Sequence, residues 1–472
     1  MRAPITDPEL LEGYLTDASN VRGHAEGLFR PKTAREVAEI LGAAQADRTP
    51  VTITAARTST TGSPVPFGGW LLSVEHLKAI EHIGEHTATA EGGILLGEFQ
   101  EAIEATGKFF PPDPTSRHDC TLGAAIACNA SGARSFKYGP TRDWIEALEV
   151  VLPNGEHLTA QRGQPIPSDW PSLTWEPPKG LKCAAGYERP ADLVDVFVGS
   201  EGTLGLITKA TVRLTTLAAG VCGLVVFFTS RASAVAFVER LRTPLRAGED
   251  AAVSPRCIEY LDHHCLALAR ARDVDVPDGA CAALFCEQEF TDEEDLDARI
   301  AAWWTLLESS DALADDTILA TDPSGKADLH ALRHAVPAGI NEQVVRNGMP
   351  KVGTDLAVPD AALSRMMDAY EAVSLPHVLF GHIGDNHLHL NLLPTSQEEL
   401  ATAKATYDDL ARLALSLGGT VSAEHGIGKL KVHQYDWMIS DTHRREMLAL
   451  KAHLDPGWIL GRGTLFRDPG TL

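Results

Sequence analysis

No two of the eight cysteines stand in a Cys-x-x-Cys pair, so the usual frameworks for structural zinc and iron–sulfur clusters are missing. Scattered at positions 120, 128, 183, 222, 257, 265, 281 and 286, they read as small buried hydrophobes of a reducing compartment. No Gly-x-Gly-x-x-Gly turn follows a first strand and no Walker loop occurs, which removes the two common phosphate cradles. Basic residues are scarce: 41 Lys+Arg against 64 Asp+Glu leave a formal charge of −23, a field that repels nucleic acid and anionic membrane surfaces. A local Arg or Lys can override that sign inside a cleft, so an anionic substrate stays open. The longest apolar run, Val221–Phe228, is too short to span a bilayer, and the opening Met1-Arg-Ala-Pro-Ile-Thr-Asp-Pro8 has no apolar stretch of the signal-peptide kind. The expectation is a cytoplasmic protein, free or peripheral to a membrane, without a transmembrane segment.

What is present suits a globular chain. Hydrophobic residues at 44% and charged residues at 22% suffice for a full core, and 472 residues exceed what one core usually serves. Residues 31–41 read as a helix opened by Pro31 and capped by Thr33. Val51–Thr54 and Trp70–Val74 read as strands around a polar turn, and Trp144–Pro153 as a strand entering an Asn154-Gly155 hairpin. Residues 164–190 hold six prolines and read as an irregular excursion. Strand-like segments resume at Leu193–Val198 and Leu206–Leu214. Beyond these, Val221–Phe228 is β-like, 231–242 is an amphipathic helix, and acidic stretches such as Asp292–Asp297 interleave with helices. The natural cut lies near 216, giving a first domain of 1–216 and a second of 217–454, with the tail 455–472 rejoining the first. The fold class is α+β, with mixed sheets in both halves.

In the first half, three segments of small and polar residues stand out: Pro111–Ser116, Leu122–Arg134 and Gly199–Ile207. Small residues let backbone N–H groups approach a ligand, and N–H concavities stabilise pyrophosphate. In this order and spacing the segments resemble the p-cresol methylhydroxylase/vanillyl-alcohol oxidase family of FAD enzymes. Its strongest pieces are Phe110-Pro-Pro-Asp-Pro-Thr-Ser116, Asn129-Ala-Ser-Gly132, Tyr138-Gly-x-Thr-Arg-Asp143 and Phe197-Val-Gly-Ser-Glu-Gly-Thr-Leu-Gly205. The resemblance implies a two-part FAD-binding domain plus an α+β substrate (cap) domain with an antiparallel sheet. It implies FAD contacts from Pro112, Thr115, Gly123, Asn129, Ser131, Gly132, Glu201, Gly202, Gly205 and Ile207. One departure concerns the glycine-rich pyrophosphate loop, replaced here by Thr54-Ala-Ala-Arg-Thr-Ser-Thr-Thr-Gly62. Alanine does not take positive φ cheaply, so Arg57, Thr58 and the neighbouring hydroxyls are the substitute donors. The tail departs too, with Gly461-Arg-Gly463 after Leu454-Asp-Pro456. Because no His or Cys lies in the variant loop, non-covalent FAD is expected.

The second half carries two polar concentrations, Phe380-Gly-His-Ile-Gly-Asp-Asn-His-Leu-His-Leu-Asn391 and Gly419-Thr-Val-Ser-Ala-Glu-His-Gly-Ile-Gly428. Neutral imidazoles plus a carboxylate with open positions suit Zn²⁺ or Mn²⁺. Spacing alone favours His387 and His389, two apart on one strand face; His382 and His389 converge only if residues 384–386 turn the chain. The resemblance to the D-lactate and D-2-hydroxyglutarate dehydrogenase branch, with its Gly-His-x-Gly-Asp-Gly-Asn-x-His pattern, favours the second pair. It implies a metal held by His382, His389 and Glu424, with Asn386-His387 departing from the usual Gly-Asn. His425 is then the general base, and Arg333, Lys351 and Asn391 match positions that contact substrate acid groups. The implied activity is metal-assisted dehydrogenation of a D-2-hydroxy acid, lactate- or 2-hydroxyglutarate-like, with hydride passing to FAD. Electrons pass to an external quinone, electron-transfer flavoprotein, cytochrome or dioxygen. Alternatives are a metal-independent alcohol oxidase of the same family and a flavin subunit of a larger redox complex. A homodimer is the expected assembly.

Overall fold

Short β-branched runs between turn residues decide the first strands. The computed structural model describes residues 3–321 and 323–467, apart from the side chains of residues 323, 324, 326, 328, 330 and 333, and the fold is α+β. β1 (Gly27–Phe29), β2 (Val51–Thr54) and β3 (Trp70–Ser73) form a parallel sheet in the order β1-β3-β2. The helix Ala34–Asp47 makes the crossover from β1 to β2. Thr33 caps it by accepting from Glu36 N, and Val37, Ile40, Leu41 and Ala44 face inward.

A second sheet is antiparallel throughout. It joins β4 (Ile80–Ile83), β5 (Thr87–Glu91), β7 (Ile145–Val151), β8 (His157–Gln161) and β9 (Leu206–Arg213) in the order β4-β5-β9-β7-β8. Two-residue strands β6 (Lys108–Phe109) and β10 (Thr215–Thr216) pair separately.

The third sheet has eight strands, also all antiparallel: β11 (Gly220–Phe228), β12 (Pro255–Asp262), β13 (Ala282–Phe290), β14 (Ile318–Ala320), β15 (Val352–Gly353), β16 (Leu356–Ala357), β17 (His377–His382) and β18 (His387–Leu392). Its order is β14-β11-β13-β12-β17-β18-β15, with β16 also on β18.

Two expectations need correction. Among the described residues no sheet is mixed, because the long 55–69 loop returns the chain to the starting end of β2, so β3 enters parallel where a hairpin would have entered antiparallel. Leu193–Val198 is a set of buried turns, not a strand. Asp192 Oδ1 accepts from Val194 N at 3.0 Å and Asp195 N at 3.3 Å, and Arg162 clasps both aspartates, so local side-chain bonds displace the ladder that the apolar run suggests.

One continuous cluster of buried apolar side chains links the second sheet to the third, including Ile126, Val150, Phe197, Leu224, Leu390 and Leu410. A smaller cluster joins the first sheet to the tail through Ile459 and Leu460. Among the described residues no helix is long and apolar enough to cross a membrane.

The tail is fastened by a buried ion pair. Lys451 and Asp455, 2% and 0% exposed in their side chains, lie in contact. Lys451 Nζ also donates to Thr203 O at 2.7 Å and Leu460 O at 3.0 Å, while Asp455 accepts from Ile459 N at 3.1 Å and Leu460 N at 2.9 Å. The segment so held bonds β2 through Val51 N to Ile459 O at 2.7 Å. Lys451→Ala would leave Asp455 buried without its partner, and the expected loss is about 3–5 kcal/mol. Denaturant unfolding measures it; a change under about 1 kcal/mol would show that the tail is held otherwise.

Candidate functional site

Alternation along β18 places His387, His389 and Asn391 on one face and sends Leu388, Leu390 and Leu392 into the core on the other. A 3₁₀ turn at Ile383–Asp385 and Asn386 in the left-handed region (φ 53°) close the β17–β18 hairpin. The register sets His382 opposite His387 and Phe380 opposite His389. All three histidines therefore meet, and the two pairings left open by the sequence are both realised. The His387 ring centroid lies 5.4 Å from that of His382 and 4.4 Å from that of His389.

Glu424 arrives from the 420–428 segment. Thr420 N donates to Ala357 O at 2.9 Å and Ala423 N to Asp355 O at 3.0 Å, which lays the segment along the β15–β16 link. Glu424 Oε1 then stands 3.1 Å from His382 Nε2 and 3.7 Å from His387 Nδ1, and Glu424 Oε2 stands 3.9 Å from His389 Nε2. One donor atom from each of His382, His387, His389 and Glu424 lies within 4.8 Å of every other. Burial opposes ionisation of Glu424, yet His382, Lys182 and His387 outweigh it and hold the carboxyl well below its ordinary range. Burial pushes His387 down to about 4 and takes His389 well below the usual imidazole value, aided there by His387 and His425. Two neutral imidazoles beside an ionised carboxylate are the forms in which these groups bind metals.

His425 follows Glu424 and stacks on His389, with ring centroids 5.5 Å apart and planes 18° from parallel. Its side chain is 36% exposed, and its Nδ1 lies 3.5 Å from Asp355 Oδ2. Desolvation of the protonated ring outweighs the pull of Asp355 and places the group below the ordinary histidine value. Lys351 Nζ donates to Asn391 Oδ1 at 2.8 Å, so two of the three expected carboxylate-contacting residues adjoin at the edge of the same sheet. Arg333 belongs to the helix Pro323–Asn347, and its side chain lies outside the described residues.

Three side chains here escaped the sequence reading. Lys182, from the proline-rich excursion, contacts Glu424 Oε1, donates to Gly132 O at 3.1 Å and lies 3.8 Å from Asp385. Glu259 of β12 takes His382 Nδ1 at 2.7 Å; burial disfavours the imidazolium, but Glu259 and Glu424 together raise His382 to about 10. Asp355 accepts from Ser422 Oγ at 2.8 Å, Glu424 N at 3.1 Å, His425 N at 3.0 Å and Lys431 Nζ at 2.6 Å. A charged residue inside the otherwise apolar Cys257-Ile-Glu-Tyr-Leu261 was the one available signal for Glu259. Lys182 and Asp355 join the site through contacts that no spacing encodes.

One of the segments expected to hold the cofactor reaches the same centre. Ser131 Oγ lies 3.5 Å from Glu424 Oε1, which brings the Asn129–Gly132 segment against the histidine cluster. Asn129 takes a left-handed φ of 47°, and its Oδ1 accepts from Arg142 N at 3.0 Å. Gly132 packs so closely on the turn containing Pro112 that an added Cβ would fall 2.1 Å from Asp113 O. Gly123 is likewise required by Gly92 and Gly205 by Val150. Ile207 sits in β9 opposite Val150, Thr115 is exposed and Gly202 has φ 71°. The Glu201 carboxylate is used internally, accepting from Ile427 N, Gly428 N and Ser63 Oγ at 2.8 Å each, and its backbone N–H donates to Ala127 O at 2.8 Å. In the variant loop Ala55 and Ala56 avoid positive φ; Arg57 takes it instead, at 61°, with its guanidinium 4.7 Å over the Tyr14 ring, next to half-buried Thr58. Thr54 Oγ1 at the loop mouth is buried without a hydrogen-bond partner, as suits a place built for an anionic group.

Comparisons with known proteins match the chain in two parts. The family model for an FAD binding domain matches residues 25–161, and that for the C-terminal domain of FAD linked oxidases matches residues 221–465. A D-2-hydroxyglutarate dehydrogenase of Xanthomonas citri pv. viticola is 30% identical, over 98% of this chain and 93% of the relative. A glycolate oxidase subunit of Bacillus subtilis is 29% identical over 93% of this chain and 89% of the relative. A D-lactate dehydrogenase of Archaeoglobus fulgidus is 28% identical over 93% and 91% respectively. A solved alkyldihydroxyacetonephosphate synthase shares the fold, with a TM-score of 0.68 at 17% identity over 97% of this chain and 81% of that one. With the C-terminal model spanning more than half its length, the chain belongs to the FAD-linked oxidases.

Proposed function

We propose that this chain is an FAD-dependent, metal-assisted dehydrogenase that oxidises a D-2-hydroxy acid, lactate- or 2-hydroxyglutarate-like, to the 2-oxo acid and passes electrons to an external acceptor. The observation that carries this reading is the convergence of His382, His389 and Glu424 beside His425, at the place where the Asn129–Gly132 segment reaches the cap sheet. The names of the dehydrogenase relatives support the substrate class. Residues 1–216 with 455–472 hold the cofactor in this reading, and 217–454 hold the substrate; the protein acts in the cytoplasm or at a membrane surface.

The donor set fits a divalent cation once His382, which Glu259 and Glu424 raise to about 10, gives up its proton: two buried imidazoles and an ionised carboxylate, with Glu259 fixing the far nitrogen of His382 and Thr354 O that of His389, 3.0 Å from Nδ1. Bound FAD would take the hydride from C2, and a Zn²⁺ or Mn²⁺ held by His382, His389 and Glu424 would polarise the 2-hydroxyl. His425 accepts the hydroxyl proton on Nε2, since Nδ1 faces Asp355. Lys351 and Asn391 orient the substrate carboxylate, with Arg333 as the third group of that set. The Lys182 ammonium balances charge at Glu424. The glycolate oxidase subunit relative favours a second arrangement, in which the same chemistry feeds a larger redox complex.

Purified chain with an artificial electron acceptor is expected to turn over D-lactate or D-2-hydroxyglutarate. Inertness towards every 2-hydroxy acid would reject the reading, and turnover by the isolated chain would count against an obligate complex. His425→Ala should keep its flavin absorbance and lose about 10²–10⁴ of its turnover; near-normal rates would mean that another base acts. Glu424→Ala should emerge from dialysis with less metal than the parent protein by elemental analysis. Equal stoichiometry in the two would reject Glu424 as a ligand.

A further inference from the structure

His387 has a different character from its neighbours on the hairpin. It is fully buried, and neither ring nitrogen makes a well-formed hydrogen bond. Its Nε2 lies 3.0 Å from Asp355 Oδ1 but off a good bonding direction, and its Nδ1 looks at Glu424 Oε1 across 3.7 Å. A buried imidazole left in this state loses hydrogen bonds that water would supply, and such a loss calls for an explanation at the site itself. Nδ1 is the nitrogen on the Glu424 side, and one donor atom of His387 lies within 4.8 Å of one from each of His382, His389 and Glu424. Ligands held at about 2.0–2.2 Å from one ion lie about 2.8–4.4 Å apart, so the four donors share one ion after a modest contraction. In the family pattern that this hairpin resembles, the position of His387 is an asparagine, so His387 is a departure from that pattern.

We propose that His387 is itself a metal ligand through Nδ1, completing a set of three histidines and one carboxylate, while Asp355 holds the Nε2–H. This rests on the metal reading of the site. The set has a consequence for metal identity. Four protein donors fill a tetrahedral zinc site and leave no place for substrate, whereas an ion that takes five or six ligands, such as Mn²⁺ or Co²⁺, keeps one or two positions open. Of the Zn²⁺ and Mn²⁺ named above, the set therefore favours Mn²⁺. Asp355 then faces two histidines at once, His387 through Oδ1 and His425 through Oδ2, and ties the geometry of the ion to that of the base.

The test loads metal-stripped, flavin-containing protein with Mn²⁺ or Co²⁺ and compares it with His387→Asn, which restores the family residue. X-ray absorption on the Mn²⁺ form of the parent protein should count three imidazoles; this measurement does not depend on any variant folding. His387→Asn should show two imidazoles and bind the ion at least about tenfold more weakly in a chelator competition, with its flavin absorbance retained. Two imidazoles in the parent protein, or an unchanged dissociation constant in His387→Asn, would overturn the His387 assignment while leaving the metal reading standing. Failure of the parent protein to bind either ion would overturn both.

Discussion

Asp355 is a carboxylate 1% exposed, in surroundings where burial alone would keep it protonated, yet Lys431 and the histidines His425 and His387 hold it ionised. Its two oxygens are shared among the Ser422 hydroxyl, the backbone N–H groups of Glu424 and His425, and the Lys431 ammonium, with His387 alongside. Through those bonds the β15–β16 link and the 420–428 turn are tied together, with His387 of the β17–β18 hairpin packed against them. A buried charge with this many partners is costly to leave half satisfied, so the segments that supply the partners are held together or lost together. The position of Glu424 relative to the three histidines follows from this constraint more than from any contact that Glu424 makes.

The same economy of charge explains how an acidic protein keeps a site for an acid. The formal charge of −23 is a property of the whole chain, whereas Lys182, Lys351 and Lys431 are gathered at one end of the cap sheet. Two of the three are committed to internal carboxylates. Among the described residues Lys351 bonds a neutral amide, the arrangement that the proposed function needs if its charge is to meet a substrate carboxylate. The first half reaches the same centre through Ser131, through Gly132 O and through Glu201, whose carboxylate receives the Ile427 and Gly428 amides just past His425.

Much of this was legible in the chain because its period is local. The alternation His387-Leu-His-Leu-Asn391 gives the strand and its polar face together, and the Glu424-His425 pair on a glycine-flanked turn stands out in one reading. The strands at 51–54, 70–73, 145–151 and 206–213 and the Thr33-capped helix follow from short-range preferences that the structure respects. Leu193–Val198 does not, because two aspartates captured by Arg162 bond their own backbone and fold the run into turns. Lys182, Glu259 and Asp355 were hidden for a different reason. Each meets its partner across a sequence distance that only the sheet order and the route of the proline-rich excursion determine. The variant loop shows the limit from the other side. Its alanines argue against a glycine-like backbone, and the structure meets the need by giving positive φ to Arg57, a residue that composition would not nominate.

The account stands or falls on a metal-dependent transfer of hydride from a 2-hydroxy acid to the flavin. Its most direct measurement is the anaerobic bleaching of flavin absorbance on mixing with D-lactate or D-2-hydroxyglutarate, made on protein as purified, after removal of divalent metal by a chelator, and after restoring the metal. The account predicts fast bleaching, its loss in the stripped protein and its return on restoration. Bleaching at an unchanged rate in protein shown to be metal-free would contradict it.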